Sequence, residues 1–220
     1  MPKILIVAAT KQEIEPFLNR FKIEPGTNVG FFVSAVNPGL AVLITGVGMV
    51  NTAYFMGRYF LSAFNYTINA GICGAFNKNI EIGEVVNVVE DSIAEMGAQD
   101  GDDFIKYNDL NLGGTNIYIS RSFDKVESFD KLKKVKGITV NSVHGNGETI
   151  KKTEKLFSPD VESMEGAGFL RSCEYLPGNC FQVRAVSNYV EKRDKSKWNI
   201  PLAVNNLNEL LIKAVEDLQK

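Results

Sequence analysis

The residues with chemical capacity fall in five short segments. Glu13 lies just beyond the apolar run Lys3 to Ala9, and Glu165 stands in Val161-Glu162-Ser163-Met164-Glu165-Gly166-Ala167-Gly168. The immediate neighbours of Glu165 are neutral, a setting in which a carboxylate needs a hydrogen-bonding partner. Each acid also has a plainer reading, Glu13 as an exposed side chain and Glu165 as a helix N-cap. Two glycine-containing segments, Thr45-Gly46-Val47-Gly48-Met49-Val50-Asn51 and Asn69-Ala70-Gly71-Ile72-Cys73-Gly74-Ala75, follow apolar runs. Glycine there permits tight turns and close approach of backbone N–H groups to a ligand, although ordinary strand-to-helix turns use the same residues. The fifth segment, Val183-Arg184-Ala185-Val186-Ser187-Asn188, reads as a strand running into the polar loop Tyr189 to Asn199, and open α/β sheets place ligands at the carboxyl ends of their strands.

Other chemistries find less support. Gly46-Val47-Gly48 is followed by Met49-Val50-Asn51, without the third small residue of a dinucleotide-binding turn, so a nicotinamide site is disfavoured. Cys73, Cys173 and Cys180 are odd in number and have no Cys/His ligand spacing; neither a disulfide framework nor a metal site is indicated. The 24 Lys+Arg against 26 Asp+Glu leave no excess positive field for nucleic acid or an acidic membrane surface. His144, the single histidine, tempts a catalytic reading but is assigned a structural one. Met1 to Ala9 is too short for a bilayer span and lacks a cleavage site. The expectation is one cytoplasmic domain covering 1–220, with reduced thiols.

The elements that must position these residues follow from periodicity. The continuous apolar run from Lys3 suits a central strand covered on both faces. Ile14, Phe17, Leu18 and Phe21 recur at helical spacing before Pro25-Gly26, and Val29–Val36 and Leu40–Thr45 flank Asn37-Pro38-Gly39 as a hairpin beside the first strand. Val50 to Phe64, with Tyr54, Met56, Tyr59, Phe60 and Ala63, reads as a buried helix. Further strands are expected at Tyr66–Ala70, Val85–Glu90, Asn116–Ser120, Gly137–Ser142 and Cys180–Ser187. Helices are expected at Glu127–Val135, Thr149–Phe157, Met164–Tyr175 and Pro201–Leu218, with Lys131 to Lys136 as a solvated helix end. The pattern predicts a mixed-sheet α/β sandwich.

Taken in order, Ala8-Ala9-Thr10-Lys11-Gln12-Glu13, Thr45-Gly46-Val47-Gly48, Asn69-Ala70-Gly71-Ile72-Cys73-Gly74, Val161-Glu162-Ser163-Met164-Glu165-Gly166 and Arg184-Ala185-Val186-Ser187-Asn188-Tyr189-Val190 resemble the nucleoside phosphorylase/nucleosidase superfamily. Within it the resemblance is closest to the futalosine hydrolases. It implies a three-layer α/β sandwich with a central mixed, partly barrel-like sheet, a nucleoside substrate, no cofactor, and a homo-oligomer. It also implies roles. Glu13 matches an acid that activates water at the anomeric carbon, Arg184 an arginine that helps hold that water, Met164 a residue packing below the ribose, and Glu165 one gripping its hydroxyls. Either Glu162 or Ser163 falls where a further ribose contact is expected. Val47, Gly71, Ile72, Cys73, Gly74 and Ser187 complete the implied substrate wall, with the segment around His144 meeting the base mainly through its backbone. Two acids suit this reaction, because breaking an N-glycosidic bond builds positive charge on the ribose.

Position 188 bears on the base. Adenine-specific relatives carry Asp there, whereas Asn188 donates hydrogen bonds but does not usefully transfer a proton. A 6-oxopurine offers N7 and O6 as adjacent acceptors, so hypoxanthine fits, and futalosine carries hypoxanthine. The plainer reading is that Asn188 caps a turn. The related hexameric phosphorylases place an arginine and a serine for phosphate where this chain has Asn69 and Ile72, which favours hydrolysis. Trp198 is spaced as an aromatic lid residue. Arg193 is a candidate reader of futalosine's carboxylate, unless it pairs with Glu191 or Asp194. Alternatives are a nucleosidase for 5′-methylthioadenosine or S-adenosylhomocysteine, a purine nucleoside phosphorylase, and a non-enzymatic nucleoside-binding protein.

Overall fold

The computed structural model describes residues 2–59 and 61–219. In chain order its elements are β1 (Ile4–Ala8), a 3-10 turn (Gln12–Ile14) and α1 (Glu15–Arg20), then β2 (Gly30–Val33), β3 (Leu40–Ile44), α2 (Met49–Arg58) and β4 (Tyr66–Ala75). β5 (Val85–Ile93), β6 (Gly97–Asp100), β7 (Asp103–Lys106), β8 (Tyr118–Ile119), α3 (Glu127–Asp130) and β9 (Lys133–Thr139) follow. The chain ends with α4 (Gly147–Phe157), β10 (Val161–Ser163), α5 (Gly166–Cys173), β11 (Asn179–Tyr189) and α6 (Ile200–Leu218).

β1 is buried along its whole length, as its unbroken apolar run requires, and lies between β3 and β4, parallel to both. The hairpin forms as expected between β2 and β3, with only β3 touching β1. Alternate β1 residues feed two cores. Ile4, Ile6 and Ala8 pack with Phe17 of α1 and Leu207, Leu211 and Val215 of α6; Leu5 and Val7 pack with Met56 of α2 and Phe169 and Leu170 of α5. Period-two side chains meeting two helical stripes make the three layers. β10 pairs with both β9 and β4, so β4, β11, β5, β9 and β10 close on themselves and make part of the mixed sheet a barrel. The three-layer, partly barrel-like architecture is thus the observed one. Among the described residues no helix is long and apolar enough to cross a membrane.

Several local expectations are corrected. The helix expected over Val50–Phe64 ends at Arg58; a 3-10 turn covers Leu61–Ala63, and Phe60 lies outside the described residues. Nor is α2 buried all round: Met49, Thr52 and Met56 face inward at helical spacing, while Val50 is 74% and Tyr54 57% exposed. The helix expected over Glu127–Val135 stops at Asp130, and Lys133 to Lys136 belongs to β9. There Val135 is buried between exposed Lys134 and Lys136, a period-two pattern that pairing with β5 turns into strand. Asn69–Ala75 is a continuation of β4 and not a turn. The short strands β6, β7 and β10 had no distinct signal.

Candidate functional site

A cavity of about 430 Å³ opens where the segments after β1, β3 and β10 meet the ends of β4 and β11. Glu13 enters it from the 3-10 turn directly after β1. Its Oε2 accepts from the Thr10 backbone N–H at 3.0 Å and the Thr10 hydroxyl at 2.9 Å, and its Oε1 from the Ile72 N–H at 3.2 Å. The Ile72 donor is available because β1–β4 pairing ends at Val7↔Asn69 and β10 pairs with β4 only at Gly74 and Ala75. Burial, and next the nearby charge of Glu165, push the Glu13 carboxyl above the usual carboxylate range, against the opposing pull of Thr10, Arg184 and Ile72. A carboxylate so placed is a stronger base than one in water.

Glu165 occupies the N-cap position of α5, yet its side chain makes no cap bond; instead Oε1 accepts from the Gly48 N–H at 3.0 Å. Gly48 has φ +100°, a backbone conformation that a residue with a Cβ rarely adopts. The first glycine segment therefore serves the acid of the fourth. Met164 and Ser163 line the same wall, and Ser163 Oγ accepts from the Gly166 N–H at 3.4 Å.

At the other end stands Asn188, at a bulge where β11 slips register against β4 between Val186 and Asn188. Its Nδ2 donates to the Tyr189 carbonyl at 3.0 Å and its Oδ1 accepts from the Ser187 hydroxyl at 2.8 Å. Since a carbonyl only accepts, the nitrogen is the atom on that side, and its second N–H remains for a ligand. The residue is a strand-bulge donor, not the turn cap of the plainer reading.

Glu162 is 3% exposed and is held from two sides: Oε1 accepts from the His144 backbone N–H at 3.0 Å, and Oε2 lies 2.6 Å from His144 Nδ1. His144 Nε2 in turn lies 2.9 Å from the Thr153 hydroxyl. The bond to Glu162 raises the His144 pKa above its ordinary value, against the effect of burial. Of the two candidates for the further ribose contact, Glu162 is thereby drawn to the Asn188 side. Cys73 lines the cavity as well, but burial pushes its thiol up to about 12, so it serves as wall.

The structure brings Glu13, Val47, Ile72, Cys73, Gly74, Glu162, Ser163, Met164, Glu165, Ser187, Asn188, Arg193 and Trp198 around one cavity. Gly71 and Arg184 stand behind its wall. A Cβ on Gly71 would lie 2.9 Å from Glu13 Oε1 and 3.5 Å from Arg184 Nη1, so the glycine leaves room for both charges. Arg184 is 1% exposed; its guanidinium is bonded to Asn69 Oδ1 and, at 3.2 Å, to the Val183 carbonyl. The Arg193 guanidinium lies 5.1 Å from the centre of the Trp198 ring. Its suggested ionic partners are occupied elsewhere, Glu191 by Lys197 and Lys78 and Asp194 by Ser196.

Sequence reasoning missed Thr10, His144 as a lining group, and Ile200 and Val204 at the start of α6. It also missed Asp91, fully buried under the first turn of α5. Asp91 accepts from Thr139 Oγ1 at 2.8 Å and Gln182 Nε2 at 2.8 Å, and Thr139 Oγ1 accepts from the Ala167 N–H at 2.7 Å. Burial pushes the Asp91 carboxyl up to about 6. No local pattern marks a single acid inside a strand; the glycine segments and the Ser187-Asn188 pair did carry such signals.

Known proteins resemble this chain in sequence and fold. The chain is 29% identical over 177 residues to a futalosine hydrolase of Thermus thermophilus, covering 77% of this chain and 78% of that one. It is 26% identical over 207 residues to an aminodeoxyfutalosine nucleosidase of Campylobacter jejuni, covering 86% of each. The solved structure of a futalosine hydrolase of Helicobacter pylori superposes with a TM-score of 0.81 at 15% identity, over 98% of both chains, a likeness of fold. Residues 3–216 match the family described as the phosphorylase superfamily, and the chain belongs to that superfamily.

Proposed function

We propose that the chain, acting as one unit over 1–220, hydrolyses the N-glycosidic bond of futalosine and releases hypoxanthine. The observation that carries the choice of base is the fixed Asn188 carboxamide, which presents N–H and cannot supply a carboxylic proton. The relatives named futalosine hydrolase and aminodeoxyfutalosine nucleosidase support the substrate class. Water is the attacking group. Glu13 takes one of its protons while the oxygen bonds to the anomeric carbon. The bond from that carbon to the purine nitrogen breaks, and its electron pair leaves with the base. Positive charge grows on the sugar between the half-buried Glu13 and the buried Glu165, whose carboxylates stabilise it. The departing anion spreads charge onto N7 and O6, which share the one free N–H of Asn188, and the base takes its proton from solvent. Arg184 orients Glu13 from behind the wall, Met164 and Ser163 pack against the sugar, and Trp198 closes the opening.

Hydrolysis is favoured over phosphorolysis because Asn69 and Ile72 offer no cation to phosphate, and the guanidinium of Arg184 is committed to Asn69 and Val183. Arg193, resting on Trp198, is the candidate for the carboxylate of the substrate's 5′ group. Cytoplasmic location and homo-oligomerisation belong to the same reading, the latter supported by exposed Val47, Val50 and Tyr54 on and beside α2. The test is to incubate purified protein with futalosine, 5′-methylthioadenosine and inosine, each with and without phosphate, and identify the freed base and sugar. Hypoxanthine from futalosine, independent of phosphate, is expected. Adenine as the preferred product, or a sugar phosphate, overturns the reading.

A further inference from the structure

Two of the three cysteines meet away from the two-acid cavity. Cys173 ends α5 and Cys180 stands at the start of β11, and all three thiols are free. Cys173 and Cys180 belong to the core cluster that Leu5 and Val7 of β1 share with Phe169 and Leu170. They also line one cavity of about 270 Å³ between α5 and the segment Ile117 to Arg121. Ile117 and Ile119 are 41% and 58% exposed, so the cavity reaches the surface there. It shares no lining residue with the two-acid cavity.

Arg121 completes the wall. Its Nη1 donates to the Glu174 carbonyl at 2.9 Å, and its Nη2 to the carbonyls of Cys173, at 3.2 Å, and Leu176, which closes the C-terminal end of α5. Among the described residues its buried Nε has no partner. A guanidinium with an N–H left over beside two thiols favours a thiolate. Cys180 Sγ lies 3.8 Å from the Gly178 carbonyl, a weak contact that a departing proton gives up at little cost. The two sulfurs are within hydrogen-bonding reach of each other and are shifted in opposite directions. The Cys173 thiol pulls the Cys180 pKa down, with Arg121 adding to that pull against burial, whereas burial and then the Cys180 sulfur push Cys173 well up. Cys180 is thus the readier anion, and Cys173 keeps its proton. Cys73, on the two-acid cavity, is pushed up to about 12 by burial.

We propose that Cys173 and Cys180 form a peroxide-reactive dithiol site, with Cys180 as the attacking sulfur and Cys173 as the resolving one. The Cys180 thiolate attacks one oxygen of hydrogen peroxide; the O–O bond breaks, leaving a sulfenic acid and hydroxide. The Cys173 sulfur then attacks the Cys180 sulfur. An S–S bond forms, the S–O bond breaks, and the oxygen leaves as water with the Cys173 proton. Over both steps the two thiols lose two electrons and peroxide becomes two waters. Such a link is transient and oxidant-dependent, the kind that forms in proteins whose thiols are otherwise kept reduced.

The test treats the full chain with hydrogen peroxide, then unfolds it, alkylates the remaining thiols and maps the cysteines by mass spectrometry. A Cys173–Cys180 link reversed by dithiothreitol, with Cys73 alkylated, is expected, and the pair should react at least about ten-fold faster than Cys73. Cys173→Ala, lacking the resolving sulfur, is expected to stop at a Cys180 sulfenic acid that dimedone captures. Cys180→Ala should leave Cys173 alkylatable. Three alkylated cysteines at a dose that already oxidises methionine overturn the proposal, as does a link through Cys73 or between two chains. Dimedone on Cys73 in preference to Cys180 in folded Cys173→Ala overturns it as well. If a variant fails to fold by circular dichroism, the map of the unaltered protein decides.

Discussion

The two ends of the cavity are built by different means. At one end Glu13 and Glu165 are held mainly by the main chain, through N–H groups of Thr10, Ile72 and Gly48. At the other, Asn188 and Glu162 are each held by one side-chain and one main-chain partner, Asn188 by the Ser187 hydroxyl and the Tyr189 carbonyl and Glu162 by Nδ1 and the backbone N–H of His144. Main-chain donors move only if a strand or turn moves, so the acids' placement is tied to the sheet itself. Side-chain partners are exchanged by single substitutions without disturbing the fold. The end assigned to the sugar is therefore the more rigid one and the end assigned to the base the more tunable one.

The largest effect is expected where that contrast is sharpest. Glu13→Gln keeps the shape and the acceptor for Ile72 but removes the base, so hydrolysis should fall by ~10²–10⁴ with nucleoside binding largely kept; turnover near that of the unaltered protein would show that Glu13 is not the base. Asp91 probes the rigidity beneath the same end. Its carboxyl is pushed up to about 6 from 3.8, so the folded state holds its proton more tightly than the unfolded one. The stability it contributes is fully present below the unfolded value and is lost as pH rises through about 6, a swing of about 3 kcal/mol. Asp91→Asn should flatten that part of the stability–pH curve in denaturant titrations, since Gln182 Oε1, which has no partner, can turn to accept the new N–H. An unchanged curve would place the titration elsewhere.

A smaller shift is expected in the pH profile. Glu165 is the second-largest cause raising the Glu13 pKa, so Glu165→Gln should move the acid limb of kcat/KM to lower pH while reducing its height; a limb that stays put would separate the two acids. The smallest effect tests the opening. Arg193→Ala should raise KM for futalosine several-fold and leave inosine cleavage unchanged. Equal losses on both substrates would assign Arg193 to the folding of the loop around Trp198.

What the amino-acid order determined by itself was whatever a local pattern encodes. The apolar run of β1 reads as a two-sided strand because every side chain there is buried, and α6 reads as a helix because Leu207, Leu211 and Val215 share one stripe. The five segments were legible because glycines, acids and a strand end concentrate in them. Where a short stretch fitted two periods, the partner decided: Lys133–Lys136 is strand because β5 pairs with it, and Asn69–Ala75 stays extended because β11 runs beside it. Distance along the chain hid the rest. The contact of His144 with Glu162 spans 18 residues, that of Glu165 with Gly48 spans 117 and that of Asp91 with Gln182 spans 91. Arg184 carries the right residue type for a site, yet its strand register points it at Asn69, behind the wall. Hydrogen bonds form between groups that the closing sheet brings within about 3 Å, and only the tertiary structure chose those partners.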